Sequence, residues 1–267
     1  MAYSNSTTKV FHYLSSSSQE GGVFTLLAQG LYTSNCLTQI RLVISGCELR
    51  LVTGSTDGHI AVWDLAASIK PYFDFGGRSI TRRGGIPLPA EPASIKWGDR
   101  KPAHQSSIKA MELLPLSDAQ VLLITGGDDN CLAFSTLGFS APESGASPID
   151  RFSTASYPYA HASAINAITQ VRRTVGGVDD RVVKFLVASS GNDQRIKLWS
   201  ASADCVDGDV QVSPQGDMYT AVADLSAIDQ FMVQVDGVYR EHLVLCGVGM
   251  ELWEVSDDAK QVYVCSD

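Results

Sequence analysis

The stretch that decides the fold is Ala188-Ser-Ser-Gly-Asn-Asp-Gln-Arg-Ile-Lys-Leu-Trp199. It begins at the end of an apolar run, passes through a polar turn around Asp193, and ends in residues that alternate between apolar and polar. Alternation with a period of two is typical of a β-strand, and a short polar turn between two such runs is typical of a β-hairpin. The stretch therefore predicts two antiparallel strands joined near Asp193.

Three other segments repeat this pattern. Val52–Trp63 and Ile124–Ser135 align with it without gaps, while His242–Trp253 keeps both strands and the Trp but has no Asp in its turn. Self-similarity of this kind indicates a single repeat architecture. The predicted hairpins lie near residues 49–64, 119–135, 182–200 and 241–255.

The second strand of each hairpin carries apolar residues on both faces. Ile60 and Val62 point to one side of the predicted strand and Trp63 points to the other. A strand covered on both sides fits a blade that is stacked between neighbouring blades of a β-propeller. We therefore predict an all-β propeller with about four recognisable blades, and further strands near residues 23–27 and 261–265.

Two of the hairpins are preceded by a His and then by another apolar run. His104 lies before Ile108–Leu114, and His161 lies before Ala164–Val171. We predict that these two runs are the innermost strands of their blades.

This arrangement resembles the WD-repeat family, in which a His, a Ser or Thr, the turn Asp and the Trp form one hydrogen-bonded network in each blade. The resemblance implies a network that is complete in the third hairpin and partial in the first two. The network residues that it implies are His161, Ser189, Asp193 and Trp199; His104, Thr125 and Asp129; and Thr53, Asp57 and Trp63. The second hairpin has Ser135 in the Trp position, and the first has no His at a suitable distance upstream.

His, Ser and Asp together could also indicate a catalytic triad. A constellation that recurs with parts missing favours a structural role, in which buried polar groups satisfy one another. The sequence contains no G-x-S-x-G, P-loop or H-E-x-x-H motif, and its five His are scattered. We therefore predict that the chain is not an enzyme, and we expect no cofactor, metal site or small-molecule substrate.

The segments between the hairpins are long. Residues 66–103 and 138–158 are rich in turn-forming residues and are predicted to be loops. Residues 1–20 are polar and are predicted to be disordered or not native, which leaves 21–267 for the propeller. Four blades would leave an exposed sheet edge at each end. The chain is therefore expected to be an incomplete or C-terminal part of a larger propeller protein, or to complete a ring with another segment.

The first of these segments contains a basic cluster. The whole chain has 20 basic and 29 acidic residues and a net charge of −9, which disfavours non-specific binding to nucleic acids or membranes. The cluster consists of Arg78, Arg82, Arg83, Lys96, Arg100 and Lys101. It could contact RNA phosphates or a partner, or it could be a solvated loop whose charges pair with acidic neighbours.

The sequence contains few signals for targeting or for redox chemistry. No apolar run is long enough to span a membrane, and the first residues lack the apolar region of a signal peptide. The six Cys include no C-x-x-C pair, which favours free thiols in a reducing compartment. We predict a cytoplasmic protein without membrane insertion.

A narrower resemblance rests on four runs of sequence. They are His104–Leu114 with Ile124–Asn130, Gly191–Trp199, Val222–Asp229 and Cys246–Trp253. These runs are similar to the C-terminal region of WD-repeat protein 6 in its fungal form, over roughly residues 45–255. The Val-Ala-Asp run and the closing Gly-x-Gly-Met-Glu strand are its most specific parts.

That resemblance implies a non-catalytic scaffold. Members of the family bind an FtsJ-type, S-adenosylmethionine-dependent methyltransferase and direct it to the wobble nucleotide, position 34, of tRNA for 2′-O-ribose methylation. Any tRNA contact by this chain would use the local basic cluster. The alternative is a general WD-repeat scaffold in endosomal recycling or trafficking, or in a ubiquitin ligase as its adaptor. Because the family's proteins are much longer, no residue that contacts the partner can be carried over.

Overall fold

A computed structural model describes residues 1, 5–14, 22–45, 48–76, 79–139, 149–176, 181–235, 237–256 and 262–264. Within these ranges the regular structure consists of β-sheets and one short helix, α1 (Ala66–Ile69). The predicted fold class is therefore confirmed. No helix in the described ranges is both long enough and apolar enough to cross a lipid bilayer.

The strands follow one another along the chain. The first ten are β1 (Thr7–Leu14), β2 (Val23–Leu31), β3 (Leu37–Ser45), β4 (Glu48–Ser55), β5 (His59–Asp64), β6 (Phe73–Gly76), β7 (Ser79–Arg82), β8 (Ala93–Ser94), β9 (Trp97–Pro102) and β10 (Ile108–Pro115). They are followed by β11 (Gln120–Gly127), β12 (Leu132–Phe139), β13 (Ile149–Tyr157), β14 (Ile165–Gly176), β15 (Val182–Gly191), β16 (Arg195–Asp204), β17 (Val210–Tyr219), β18 (Ala223–Val235), β19 (Val238–Val255) and β20 (Val262–Val264).

These strands form a series of stacked sheets. The N-terminal sheet has the order β1-β2-β8, and blade 1 has the order β3-β4-β5-β9. Blade 2 is β10-β11-β12-β13, blade 3 is β14-β15-β16-β17, and blade 4 is β18-β19-β20. All neighbours pair antiparallel except β2 and β8, and β6 and β7 form a separate hairpin. The first strands of blades 1 to 4 contact one another in that order, so they are the innermost strands of a propeller arc.

In blade 4 a single element, β19, contains two strands that lie side by side. The Arg240 Nη1 atom lies 2.9 Å from Glu254 Oε1, although both residues belong to β19. A straight strand would separate them by about 45 Å at the usual rise per residue. The chain therefore reverses inside β19, where Gly249 has a φ of +112°. With its two arms counted separately, this blade has four strands like the others.

The core lies between blades, as expected for stacked sheets. Ile60 and Val62 of blade 1 are fully buried in one cluster with Ile108 of blade 2. Burial of one such aliphatic side chain contributes about 1.5–3 kcal/mol. The corresponding residues of blade 4, Met250 and Leu252, are 72% and 36% exposed because no further blade covers this face within the described ranges.

Two segments differ from the sequence-based expectation. Residues 7–14, predicted to be part of a disordered segment, form β1, whose β-branched and aromatic residues favour a strand. Residues 15–21 lie outside the described ranges. The segment 66–103, predicted to be a loop, contains α1 and four strands, one of which is the outer strand of blade 1. These strands are short, and β8 and β9 pair with distant residues, so local periodicity does not reveal them.

The second predicted loop, 138–158, also contains regular structure. Its last part forms β13, the outer strand of blade 2, which pairs with β12 over nearly its whole length. Residues 140–148 lie outside the described ranges. Four of the nine residues of β13 are Ser, Thr or Ala, so this segment resembles a loop in composition.

Candidate interaction surface

Blade 3 contains a continuous hydrogen-bonded network near the loop that joins it to blade 2. The Trp199 Nε1–H donates to Ser189 Oγ at 2.9 Å, and Ser189 Oγ lies 2.8 Å from His161 Nε2. The other ring nitrogen, His161 Nδ1, lies 3.0 Å from Asp193 Oδ1. Since the carboxylate can only accept, these donors and acceptors are satisfied when the imidazole is neutral and protonated on Nδ1.

The electrostatics of this network agree with a neutral imidazole. Burial lowers the pKa of His161, and this effect outweighs the opposing hydrogen bond to Asp193. Burial by itself would raise the pKa of the Asp193 carboxyl. The hydrogen bonds from His161 and from the Ala162 N–H outweigh burial and hold that pKa below its ordinary value. The network therefore pairs a neutral His with an ionised Asp at neutral pH.

Blade 2 has the same network without its Trp. His104 Nδ1 lies 2.9 Å from Asp129 Oδ1, and His104 Nε2 lies 2.8 Å from Thr125 Oγ1. Ser135, in the Trp position, lies 2.9 Å from Thr154 Oγ1 on the outer strand. The structure thus brings together His104, Thr125 and Asp129, as predicted. The hydroxyl groups of Ser135 and Thr154 contact each other where blade 3 has the indole of its Trp.

The same blade brings His104, Asp129 and Cys131 within 4.8 Å of one another, a grouping that could hold a metal ion. Both ring nitrogens of His104 already have hydrogen-bond partners in Asp129 and Thr125. Burial, and then the nearby Asp129 carboxylate, raises the pKa of the Cys131 thiol to about 11. Because a metal requires an unprotonated ligand atom, the arrangement favours the structural network over a metal site.

Blade 1 holds its turn Asp in a different way. The Trp63 Nε1–H donates to Thr53 Oγ1 at 3.0 Å, as in blade 3. Asp57, however, accepts hydrogen bonds from Arg100 Nη2 at 2.6 Å and from Asn35 Nδ2 at 2.9 Å. The missing His is thus replaced by an Arg from the outer strand and an Asn from the preceding loop.

An aromatic residue, Tyr32, packs beside these hydrogen bonds in blade 1. The Tyr32 ring lies 6.5 Å from Trp63 and 6.0 Å from Trp97, and its hydroxyl contacts Asp57 at 3.5 Å. Burial raises the pKa of the Tyr32 phenol, and burial alone would also raise that of Asp57. The Ser55 hydrogen bond and the Arg100 charge instead hold the pKa of Asp57 below its ordinary value.

Blade 4 uses a Glu where the sequence shows no turn Asp. The Trp253 Nε1–H donates to Glu251 Oε2 at 2.9 Å, and the Thr220 hydroxyl donates to the same oxygen at 2.6 Å. The Ala221 N–H donates to the other oxygen at 3.2 Å. Glu251 lies two residues before the Trp, not six as Asp193 does, so the shared spacing could not identify it.

The basic cluster of the sequence is largely engaged within the protein. Arg83 pairs with Asp74 at 2.7 Å, Arg100 pairs with Asp57, and Lys101 lies 3.4 Å from Asp99. Of the remaining members, Arg82 donates to backbone carbonyls and packs on Phe73, Lys96 is exposed, and Arg78 lies outside the described ranges. The cluster is thus a set of ion pairs spread over a hairpin and an outer strand.

Two clefts lie beside the loop that joins blades 2 and 3. One has a volume of about 410 Å³ and includes His104 and Tyr159 in its lining. The other, of about 400 Å³, is lined by Tyr159, Lys197 and Trp199 among others. Tyr159 borders both clefts and is 85% exposed. Its φ of +57° is in the left-handed region, which costs a non-glycine residue about 1–2 kcal/mol.

Strain of this kind is found where a side chain must be held in a particular place. Exposed Tyr residues beside clefts are common anchors in protein interfaces. Sequence reasoning did not single out Tyr159. The Pro158-Tyr159 pair marks a turn, but nothing in the sequence shows that the aromatic ring stands between two clefts.

Comparisons with known proteins support the fold. Residues 32–64 match the family model described as "WD domain, G-beta repeat". Two crystal structures of Sqt1 from Chaetomium thermophilum are similar to this chain, each with 10% sequence identity and with TM-scores of 0.54 and 0.50. The similarity covers 98% and 97% of this chain and 53% of each Sqt1 chain, so the chain spans about half their length. A search of curated protein sequences finds no significant match.

These findings establish a WD40-type propeller fold, which typically serves as a non-catalytic scaffold. At this level of identity the structural likeness concerns the fold alone.

Proposed function

We propose that this protein is a non-catalytic WD-repeat scaffold that binds its partner on the side where Tyr159 stands between two clefts. The proposal rests on one observation, which is that the polar residues of the blade networks already have hydrogen-bond partners within the protein. In blade 3 each reactive group is held by another: Ser189 bonds both Trp199 and His161, and His161 bonds Asp193. Ser189 and His161 are also fully buried, which leaves them no open side for a substrate. An exposed, strained Tyr beside clefts suits protein binding.

The partner that we propose is an FtsJ-type tRNA methyltransferase, which the scaffold directs to the wobble position 34 for 2′-O-ribose methylation in the cytoplasm. The support is the resemblance of the four sequence runs to WD-repeat protein 6. A rigid arc of blades can position a catalytic partner and an RNA stem without taking part in the chemistry.

Co-purification tests this partner directly. We expect the full chain to retain an FtsJ-type methyltransferase on an affinity column and Tyr159→Ala to reduce the retained amount by about tenfold, as for a typical interface anchor. Tyr239→Ala is the matched control, because Tyr239 is also an exposed Tyr, in blade 4, far from the clefts in sequence. Full retention by Tyr159→Ala would place the interface elsewhere.

The proposed product can be measured in cells. Deletion of the gene should remove the 2′-O-methyl group from the wobble nucleotide of the substrate tRNAs, as read by mass spectrometry of tRNA nucleosides. The chain alone should transfer no methyl group from S-adenosylmethionine. Normal wobble methylation in the deletion strain would refute the tRNA role.

A direct tRNA contact through the basic cluster belongs to the same proposal. Lys96 is exposed, and Arg83 pairs only at the surface with Asp74. Lys96→Ala combined with Arg83→Ala should lower the slope of log K against log salt by about one unit per lost phosphate contact. An unchanged slope would mean that the cluster serves only internal ion pairs.

The second candidate is a general WD-repeat scaffold in endosomal recycling, in trafficking or in a ubiquitin ligase. The match of residues 32–64 to the WD-repeat model supports this general scaffold as well as it supports the methyltransferase scaffold, since that model specifies no partner. Recovery of trafficking or ligase subunits without a methyltransferase would support this second function over the first.

A further inference from the structure

One of the two clefts beside Tyr159 combines apolar walls with a lysine. This cleft, called the Lys197 cleft below, lies between the end of β13 in blade 2 and the strands β16 and β17 of blade 3. Its walls include the apolar side chains of Tyr157, Tyr159, Trp199 and Pro214, and its charged lining residues are Lys197 and Asp217. Its volume of about 400 Å³ is within the range of roughly 300–1,000 Å³ that is typical of ligand pockets.

Strand alternation places the lysine in this cleft. Lys197 precedes Trp199 by two residues in β16, so both side chains point to the same face of the strand. Trp199 belongs to the core cluster between blades 2 and 3, which identifies this face. The Lys197 side chain is only 20% exposed. Its ammonium group is therefore carried on a largely covered stem at the wall of the cleft.

The Lys197 ammonium has hydrogen-bond donors that the protein does not fill. Its Nζ lies 3.4 Å from Asp217 Oδ2, beyond the usual N–H···O distance of about 2.7–3.2 Å. Among the described residues, none accepts a hydrogen bond from this Nζ. The other oxygen of the same carboxylate binds Arg195 Nη1 at 2.6 Å. Two cations thus share one carboxylate, and the three N–H donors of Lys197 remain open to a further anion.

The cleft on the other side of Tyr159 does not offer such a cation. Its lining includes Asp129 and, among the described residues, neither Lys nor Arg. The Asp129 carboxylate already accepts hydrogen bonds from the N–H groups of Gln105 and Cys131. A second carboxylate would be repelled there, so an acidic ligand is favoured in the Lys197 cleft alone of the two.

We infer that the Lys197 cleft binds an acidic residue of the partner protein, whose carboxylate accepts hydrogen bonds from Lys197 while an adjacent apolar residue packs on Tyr159. The unfilled ammonium is complementary to the carboxylate, and the apolar walls strengthen this ion pair because they exclude water. A nucleic acid fits less well, because a polyanion needs several cations and the whole chain has a net charge of −9. The inference rests on the proposed binding of a protein at Tyr159 and adds the chemistry of the bound segment.

Selection from a phage-displayed library of random heptapeptides tests the inference without knowledge of the partner. Peptides are selected on the full chain, and those that also bind Tyr159→Ala are removed. The recovered peptides should share an Asp or Glu beside an apolar residue. Recovery of peptides without an acidic residue, or of no peptides, would overturn the inference.

A double-mutant cycle then locates the carboxylate. Lys197→Met keeps the apolar stem and should weaken binding of the selected acidic peptide at least tenfold. Lys109→Met is the matched control and should bind normally, because Lys109 also pairs with an Asp, at 3.6 Å, but lines neither cleft. Replacement of the acidic residue of the peptide by its amide should weaken binding to the unaltered chain equally and have no further effect on Lys197→Met. Unchanged binding by Lys197→Met, or additive losses, would contradict the inference.

His161 provides an independent measure of where the peptide binds. Burial, and to a smaller extent the charge of Lys197, lowers the pKa of His161. A carboxylate bound beside Lys197 should therefore raise this pKa, as measured by ¹⁵N NMR of the full chain with saturating acidic peptide. The amide form of the peptide, at the same saturation, should leave the pKa unchanged. An unchanged pKa with the acidic peptide bound would place its carboxylate elsewhere and overturn the inference.

Further outcomes separate this inference from its alternatives. Peptide binding through Lys197 in a chain that retains no methyltransferase would refute the proposed partner and support the inference. Retention of the methyltransferase that is lost in Tyr159→Ala but unaffected in Lys197→Met would overturn the inference alone. Binding of a short oligouridylate that is tighter than that of the peptide and is lost in Lys197→Met would assign the cleft to RNA instead.

Discussion

Blades 3 and 1 satisfy the same buried groups with different side chains. Each blade has a buried hydroxyl, an indole N–H and a turn carboxylate beside the loop between blades. Blade 3 joins them through one buried residue, His161, which connects Ser189 to Asp193. Blade 1 uses two separate sets of hydrogen bonds. Trp63 bonds Thr53 in one set, while Arg100 and Asn35 hold the turn carboxylate in the other.

The difference is one of burial and charge. The His161 side chain is fully buried, whereas that of Arg100 is 31% exposed. A buried network with a neutral imidazole depends on every member and on pH, since protonation of the imidazole would place a further charge in the core. A partly exposed ion pair depends on the salt concentration and contributes less to the free energy of unfolding than the buried network does, because solvent competes for both partners. The two blades should therefore respond differently to the same perturbations.

The largest difference is expected from removal of the turn carboxylate. Asp193→Ala leaves the His161 Nδ1–H and the Ala162 N–H without an acceptor and should lower the free energy of unfolding by about 1–3 kcal/mol. Asp57→Ala should cost about half as much, because water can reach Arg100. Urea denaturation measures both values, and an equal or larger loss for Asp57→Ala would contradict the distinction between the blades.

Mild acid should weaken blade 3 before blade 1. The pKa of His161 is lower in the folded state than in the unfolded chain, where it is about 6.5. Its stabilising contribution is therefore complete above pH 6.5 and decreases as the pH falls, by at most about 1.4 kcal/mol per unit. Blade 1 should change only near pH 4 and below, where the Asp57 carboxyl, with its lowered pKa, becomes protonated.

Hydrogen exchange at pH 7.0 and 5.5, corrected for intrinsic rates, resolves the two blades. Faster opening of β15 and β16 at pH 5.5, with β4 and β5 unchanged, is the expected result. Equal acceleration in both blades would show that a global charge effect, rather than His161, is responsible.

Salt should affect blade 1 more than blade 3. Arg100→Gln should cost about 1 kcal/mol at low ionic strength, and this cost should shrink in 1 M NaCl as the ion pair with Asp57 is screened. Ser189→Ala in blade 3 should show the same cost at both salt concentrations. A salt-independent cost for Arg100→Gln would mean that its packing over Tyr32 dominates.

The smallest expected effect concerns the strained Tyr. Tyr159→Gly removes a side chain from a backbone with a φ of +57° and should raise the free energy of unfolding by up to about 1 kcal/mol, while it reduces partner binding by about tenfold. Tyr219→Gly in the outer strand of blade 3 should instead lower stability. A destabilised Tyr159→Gly would show that the ring packs as part of the fold.

Much of the fold could be predicted because each hairpin is encoded locally. Apolar alternation, the turn Asp and the Trp all lie within twelve residues, so a single sequence reveals them. Strand β1 was missed because it lies within a polar segment, and only its pairing with β2 reveals it. The loop prediction for residues 66–103 failed for a related reason, since β9 pairs with β5 across a long separation.

The site was less predictable than the fold. Tyr32 and Asn35 come from the loop between β2 and β3, and Arg100 comes from β9. No spacing rule joins these residues to Asp57. Glu251 performs the role of a turn Asp from within a strand. In each case the requirement, an acceptor for buried donors, is physical, whereas the residue that meets it depends on three-dimensional proximity.

We propose that the recurring His, Ser and Asp hold the blades together and take no part in catalysis. The most direct test is ¹⁵N NMR of the His161 ring in the full chain between pH 5 and 8. We predict a neutral imidazole at pH 7 with its proton on Nδ1, slow exchange of that proton, and a pKa below 6.5. A rapidly exchanging ring that is protonated on Nε2, or a pKa above 6.5, would contradict the account.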